Sequence, residues 1–151
     1  MARGGTLNWR MANVPLPELI LLGVAAGVGL QRLRPWPLPG DRRLQHLVGW
    51  PLVALGTTLV VRSVQEAGRV DLEQPESLVT GGPYARRRNP MYVGWALIHL
   101  GVGLTSGSVW VLATMPVVAG PMHREVLGEE RRLGQKFGPE FRRYRAAVPR
   151  Y

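Results

Sequence analysis

Residues 89–122 read NPMYVGWALIHLGVGLTSGSVWVLATMPVVAGPM and contain no Lys, Arg, Asp or Glu. A straight helix over this run would be about 50 Å long, whereas the hydrocarbon core of a bilayer is about 30 Å thick. The run must therefore fold back on itself, and Thr105-Ser-Gly-Ser108 supplies a turn. We predict a helical hairpin from Met91 to about Leu104 and from Val109 to about Gly120.

Two more apolar segments precede this hairpin. The first extends from Pro15 to Leu33 and the second from Leu44 to Val61. The segment between them, Arg34 to Asp41, cannot continue a helix because its alternating prolines remove backbone donors and clash with the preceding turn. The sequence therefore predicts an all-α integral membrane bundle of about four transmembrane helices, followed by short cytoplasmic helices. We expect residues 1–151 to form a single membrane domain.

Basic residues are distributed unevenly between the loops of this bundle. The formal net charge is +9, and only four of the 19 Lys and Arg residues lie in the loop region between residues 32 and 43. The positive-inside rule therefore predicts both termini on the cytoplasmic side of a membrane, which we expect to be a bacterial inner membrane. A basic chain could also bind nucleic acid, but no nucleic-acid module accompanies the arginines, so anionic lipid headgroups are the expected partners.

A polar, Arg-rich stretch leads directly into the hairpin. Asn89 is a favoured N-cap residue and Pro90 suits the first helical position, so a helix is predicted to begin at Pro90. The positive end of its dipole would lie beside Arg86, Arg87 and Arg88 and make an anion site, flanked by the rings of Tyr84 and Tyr92. The alternative is that these side chains only anchor a transmembrane helix at the headgroups.

The segment after Pro121 is strongly charged and is predicted to be helical. Glu129 shares one helix face with Glu125, whereas Glu130 projects about 100° further round. The alternative for this segment is a solvated helix with weak Glu–Arg pairs. Gly138 and Pro139 then end one helix and begin a last short one. Its basic side chains are expected to lie against lipid headgroups: Arg142, Arg143, Arg145 and Arg150.

No metal site is expected from the sequence. The chain contains no cysteine. His99 lies inside the predicted hairpin without a second ligand spaced with it, so we interpret it as a hydrogen-bonded packing residue.

Several motifs occur in an order and spacing that are specific when taken together. They are Gly82-Pro-Tyr84, Arg88-Asn-Pro-Met-Tyr92, Glu129-Glu130, Leu133, Phe137-Gly138, Glu140-Phe141, Tyr144 and Val148-Pro149-Arg150. This pattern resembles the isoprenylcysteine carboxyl methyltransferase and phospholipid methyltransferase families of membrane enzymes. The resemblance covers residues 80–151, whereas residues 1–79 match only in being hydrophobic. Asn89 departs from the pattern because it stands where His is commoner, and Asn does not titrate near neutral pH.

The resemblance implies a methyltransferase that uses S-adenosylmethionine. Its cofactor site would be on the cytoplasmic side, lined by Tyr84, Arg88, Asn89, Pro90, Tyr92, Glu129 and Glu130. We assign the cofactor carboxylate to Arg88 and the helix start at Pro90, and its ammonium to Glu129 or Glu130. No catalytic acid or base is identified. The alternatives are a membrane reductase that uses NADPH and a non-catalytic helical membrane protein.

The methyl acceptor is expected to come from the bilayer. The site is expected at the cytoplasmic end of a membrane helix. A lipophilic molecule in the bilayer could therefore reach it with a carboxylate, amine or thiol head. Gly94, Gly101 and Gly103 admit two interpretations, since small residues either leave a lateral gap for an apolar tail or allow close helix packing.

Overall fold

The computed structural model describes residues 18–68, 70 and 75–151. These residues form the helices α1 (Glu18–Leu33), α2 (Arg42–Ala67), α3 (Pro90–Ser106), α4 (Val109–Phe137) and α5 (Pro139–Ala147), with a 3-10 helix (Gly82–Ala85) before α3. The predicted all-α class is confirmed over this part of the chain. The first three residues of the predicted first span, 15–17, lie outside the described residues.

One described helix, α2, is long and apolar enough to cross a membrane. It has 26 residues, whereas α1 has 16 and α3 has 17. A hydrocarbon core needs about 20 apolar residues, so α3 and the described part of α1 are short for a complete crossing. The predicted arrangement of four membrane spans is therefore not confirmed, although four apolar helical segments are present where they were expected.

The turn of the hairpin has the predicted position. Gly107 ends α3 in the left-handed conformation with φ of +62°, which glycine adopts at low cost. Ser108 then caps α4, because its hydroxyl accepts a hydrogen bond from the backbone N–H of Val111.

The second arm of the hairpin does not end near Gly120 as predicted. Instead α4, which is 29 residues long, continues through Pro116 and Pro121 to Phe137. Both prolines are exposed on the outer surface of the helix, where each removes one backbone hydrogen bond without stopping the helix. The charged segment that carries Glu129 and Glu130 is thus a direct extension of an apolar arm, and only α5 is a separate short helix.

The closest helix packing is between α2 and α3, where two pairs of glycines face each other. A Cβ atom on Gly56 would lie 2.5 Å from the carbonyl oxygen of Gly94, and one on Gly101 would lie 2.7 Å from that of Gly49. The two pairs are spaced by seven residues on each helix, as two antiparallel helices require. Backbones approach closely here because no side chain separates them.

The glycines of α3 therefore serve close packing. Gly103 does so against α4, since a Cβ atom there would lie 2.3 Å from Leu112 Cδ2. The lateral-gap interpretation of Gly94, Gly101 and Gly103 is wrong.

A second helix pair, α1 and α4, packs through Gly27 against Val111 and through Gly23 against Val118. His99 of α3 lies between these helices and is 1% exposed. Its Nε2 atom donates to the carbonyl oxygen of Val111 at 2.8 Å. The predicted role of His99 as a hydrogen-bonded packing residue is confirmed.

Large apolar side chains remain exposed along the outside of the bundle. Examples are Leu22 at 66%, Leu47 at 71%, Trp50 at 59% and Val117 at 70% exposure. Many exposed large apolar side chains are typical of a surface that contacts lipid or a partner. The outer surface is therefore compatible with the predicted membrane environment.

Candidate functional site

The candidate site forms where the start of α3, the charged end of α4 and the C-terminal segment 148–151 meet. The backbone N–H of Arg88 donates to the carbonyl oxygen of Pro149 at 2.9 Å, and that of Asn89 donates to Arg150 at 3.2 Å. The C-terminal segment therefore lies alongside the entry to α3. Tyr144 of α5 adds a further contact, because its hydroxyl donates to the carbonyl oxygen of Tyr84 at 2.6 Å.

Glu130 is the centre of a buried charge network. Its side chain is 7% exposed and pairs with Arg88 at 2.9 Å and with Arg150 at 2.8 Å. Burial alone would raise the pKa of Glu130, but hydrogen bonds from Arg150 and Arg88 outweigh it and lower the pKa. Arg88 also donates to the backbone carbonyls of Arg145 and Val148. Arg88 and Glu130 thus satisfy each other and hold three segments together.

Arg150 was expected to lie against lipid headgroups, and that expectation is wrong. Its guanidinium donates to both carboxylate oxygens of Glu130, at 3.0 and 2.8 Å. The only sequence signal was its place at the end of the family-like pattern, after Val148 and Pro149. No spacing rule could pair it with a residue on another helix.

Glu129, the neighbour of Glu130, has a different environment. Its side chain is partly buried, and no hydrogen bond or ion pair to its carboxylate occurs among the described residues. Burial raises the pKa of Glu129, the charge of Arg132 lowers it and the charge of Glu130 raises it again. Glu129 therefore has a partly buried carboxylate that is not paired with any described residue.

The two tyrosines of the predicted site lie within electrostatic range of this carboxylate. Tyr84 is buried in a cluster with Val60, Val64 and Met91. Burial, followed by the charge of Glu129, raises the pKa of Tyr84. Its hydroxyl therefore remains protonated at any physiological pH.

Asn89 holds the N-cap position of α3, but its side chain does not cap the helix. The residue is 6% exposed, and its Nδ2 atom is buried without a hydrogen-bond partner. An unsatisfied buried donor costs about 1–3 kcal/mol. Pro90 follows as the first helical residue, and the next two amides belong to the first turn, where helix N–H groups have no intrahelical acceptor. The start of α3 therefore contains several donors that lack an acceptor within the helix.

An apolar cavity of about 380 Å³ adjoins this region. Tyr92 is one of its wall residues and also lies within range of Glu129. One polar contact lies at the cavity, a hydrogen bond of 2.9 Å between His123 Nδ1 and the hydroxyl of Tyr151. His99 is a further polar lining residue, and the rest of the wall is mainly apolar and comes from α3 and α4: Val93, Ala96, Leu97, Met115, Val118 and Val126.

The sequence of the bundle matches a known family. The family model described as phospholipid methyltransferase matches residues 44–140. The chain belongs to the phospholipid methyltransferase family. The matched region contains every residue of the predicted cofactor site, and the resemblance on which that site was predicted is confirmed at the family level. Members of this family are membrane-associated methyltransferases, in keeping with the apolar helix α2.

One curated relative in this comparison is the cobalt-zinc-cadmium resistance protein CzcN of Cupriavidus metallidurans. It is 35% identical over 75 residues, which are 50% of this chain and 35% of the relative. The chain thus matches about a third of the length of that protein. No group of three or more metal-binding side chains occurs in the part of the chain that the structure describes. No solved structure matches the chain significantly.

Proposed function

We propose that this phospholipid methyltransferase family member transfers a methyl group from S-adenosylmethionine to a lipophilic acceptor at the cytoplasmic face of a bacterial inner membrane. One observation carries the proposal beyond family membership. The Glu129 carboxylate on α4 and the Asn89 amide at the start of α3 have no hydrogen-bond partner among the described residues. Tyr92, three residues after Asn89 and within electrostatic range of Glu129, lines an apolar cavity.

The side chains at the start of α3 fit the chemistry of this cofactor. Asn89 Nδ2 and the first-turn amides of Met91 and Tyr92 are donors that suit a carboxylate, since the helix dipole also favours an anion there. The carboxylate of Glu129 suits an ammonium group. Tyr84 and Tyr92 add aromatic surface. When bound, S-adenosylmethionine supplies an electrophilic methyl group on a sulfonium.

Arg88 and Glu130 have a positioning role in this proposal. Because they are paired with each other and with the C-terminal segment, they fix the distance between the start of α3 and Glu129. A fixed pair of binding groups lowers the entropy cost of orienting a ligand. The assignment of the cofactor carboxylate therefore moves from Arg88 to Asn89 and the free amides.

The apolar cavity suits the tail of an acceptor with a carboxylate, amine or thiol head. Its wall residues on α3 and α4 would hold the tail and exclude water, while Tyr92 both lines the cavity and lies within electrostatic range of Glu129. Methyl transfer depends on the alignment of the acceptor atom more than on a protein acid or base. Asn89 in place of a histidine is compatible with this mechanism, since orientation requires no titrating group.

Calorimetry of the purified full chain in detergent tests the cofactor assignment. We expect binding of S-adenosylmethionine, and roughly tenfold to a hundredfold weaker binding for Glu129→Gln, since a lost charge-assisted contact costs about 1.5–3 kcal/mol. Glu140→Gln is the matched control, because Glu140 is an exposed glutamate on α5. Binding of NADPH instead would favour the reductase alternative. Binding of neither cofactor would favour the non-catalytic one.

A transfer assay with radiolabelled S-adenosylmethionine and native membrane extract tests the acceptor class. We expect the label to partition into organic solvent with the methylated product. Label found only in water-soluble products would contradict a lipophilic acceptor and leave the cofactor assignment standing.

A further inference from the structure

A second surface is amphiphilic and borders the candidate site at Pro90 and Pro149. It is a groove of about 1030 Å³ between α2, the 3-10 helix and the start of α3, and it shares no lining residue with the apolar cavity. We call it the basic groove and define it by Leu55, Leu59, Arg62, Arg86 and Arg87, which all line it. None of these residues belongs to the proposed cofactor site.

The basic groove changes from apolar to basic along α2. Leu55 is 58% exposed and lies on the apolar part of this helix. Arg62 follows seven residues later, which corresponds to a rise of about 10 Å. The groove therefore has an apolar end in the region expected to contact lipid tails and a basic end in the region expected at the membrane surface.

The arginines at the basic end have no counter-ion among the residues that the structure describes. Arg62, Arg86 and Arg87 are exposed, and none of them forms an ion pair within the described part of the chain. The one side-chain hydrogen bond among them runs from Arg87 Nη1 to the carbonyl oxygen of Arg86 at 3.0 Å. These guanidinium groups contrast with those of Arg88 and Arg150, whose charges are paired with Glu130.

One acidic residue, Glu66, also lines the basic groove. Its carboxylate packs against two glycines where the 3-10 helix begins, since a Cβ atom on Gly81 would lie 2.0 Å from Glu66 Oε1 and one on Gly82 would lie 2.6 Å from Oε2. Three arginines therefore face one glutamate, and the groove keeps a net positive charge.

We propose that the basic groove binds an anionic phospholipid. Guanidinium groups form paired hydrogen bonds with phosphate oxygens, and basic pockets between helices at the cytoplasmic surface select anionic headgroups. One acyl chain lies along Leu55 and Leu59, and the phosphate lies between Arg62 on α2 and the Arg86–Arg87 pair. A zwitterionic headgroup would add an ammonium beside three arginines, so it binds less tightly. This inference does not depend on the methyltransferase proposal.

The test compares lipids bound to the full chain in neutral detergent by native mass spectrometry and thermal unfolding. The probes are phosphatidylglycerol and phosphatidylcholine with identical acyl chains, and inorganic phosphate. For the wild-type chain we expect binding of phosphatidylglycerol at least about tenfold tighter than that of phosphatidylcholine, and no stabilisation by phosphate alone.

Two triple variants with equal loss of charge locate the site. Arg62→Gln, Arg86→Gln and Arg87→Gln together should abolish the preference for phosphatidylglycerol. Arg124→Gln, Arg142→Gln and Arg143→Gln together should retain it, because these exposed arginines lie outside the groove. The single change Arg86→Gln should weaken it about fivefold. Equal losses in both triple variants, equal binding of the two lipids by the wild-type chain, or equal stabilisation by phosphate would each overturn the proposal.

Discussion

Arg88 and Glu130 are separated by 42 residues in sequence and form an ion pair of 2.9 Å in which their side chains are only 8% and 7% exposed. The pair connects the start of α3 to the charged end of α4. Because Arg150 binds the same carboxylate, the C-terminal segment is fixed by the same contact. One carboxylate thus determines how the three parts of the candidate site are placed.

Replacement of Glu130 by Gln should destabilise the chain strongly. It would leave two guanidinium groups without a counter-ion, and the loss of one partner of a buried pair costs about 3–5 kcal/mol. Thermal or denaturant unfolding in detergent measures the effect. Glu125→Gln, an exposed change one turn earlier on α4, should alter the free energy of unfolding by less than about 0.5 kcal/mol. A similarly small effect of Glu130→Gln would contradict a stabilising role of the network.

The same network predicts an acid-sensitive stability. Since the pKa of Glu130 is lower in the folded state than in the unfolded state, its contribution is complete above the ordinary glutamate pKa of about 4.3 and is lost as the pH falls through the folded value. Unfolding measured between neutral and acidic pH should show this loss in the wild-type chain. Arg88→Ala should show a smaller loss, because only Arg150 then lowers the pKa.

Glu129 should affect the pH dependence of stability in the opposite direction from Glu130. Its pKa is raised by burial, so its charged form opposes folding, and stability from this residue is present at low pH and lost as the pH rises through the folded value. Glu129→Gln should therefore raise the melting temperature of the ligand-free chain while it weakens binding of S-adenosylmethionine. A variant that lost both stability and binding would show that Glu129 has only a structural role.

The close contact between α2 and α3 predicts that adding even one methyl group at its glycines will destabilise the protein. Gly56→Ala would place a methyl group 2.5 Å from the carbonyl oxygen of Gly94, and such overpacking costs about 1–3 kcal/mol. Gly29→Ala is the control, because a Cβ atom there would meet nothing within 4 Å. It should be neutral or stabilising by up to about 1 kcal/mol, since alanine favours helices. Equal melting temperatures for the two variants would argue against close backbone contact.

The membrane topology can be measured with single cysteines, because the natural chain contains none. Ser77, before the 3-10 helix, and Ser106, at the end of α3, are both exposed. If the predicted orientation is correct, Ser77→Cys and Ser106→Cys will react with an impermeant reagent from opposite faces of spheroplasts and inverted vesicles. Reaction from the same face would contradict four spans and favour shallow insertion of the shorter helices.

Local sequence signals predicted the turn and the helix starts well. Thr105-Ser-Gly-Ser108 combines polar residues with a glycine, and Gly107 indeed takes the left-handed conformation that the turn requires. Pro90 begins α3 and Pro139 begins α5, as expected for proline at the first helical position. These features depend on a few adjacent residues, and the sequence contains all of the relevant information.

Local sequence signals did not predict that α4 is one continuous helix. The composition changes sharply at Pro121, which favoured a boundary, but Pro116 and Pro121 both lie on the exposed surface of the helix. A proline there costs a hydrogen bond without displacing a neighbouring helix. Whether it ends a helix depends on packing around it, which periodicity does not reveal.

The partners within the candidate site also required the structure. The helical period separates Glu129 from Glu130 by about 100°, yet it cannot tell which of them faces Arg88. In the structure, Glu130 forms ion pairs with both Arg88 and Arg150, whereas Glu129 forms none with the described residues. The family resemblance pointed to both glutamates. Only the tertiary contacts distinguish Glu130, a positioning residue, from Glu129, a candidate for ligand binding.

The paired glycines of α2 and α3 determine which parts of the bundle can move. Gly49 and Gly56 contact Gly101 and Gly94 through backbone atoms, so no side-chain rotation can ease sliding between these helices. They therefore behave as one rigid body, and any shear that widened the apolar cavity would have to move α1 or α4 relative to this pair and break the contact between Arg88 and Glu130. Asn89 belongs to the rigid pair, so in the proposed function a lipophilic acceptor would approach a group whose position is already set.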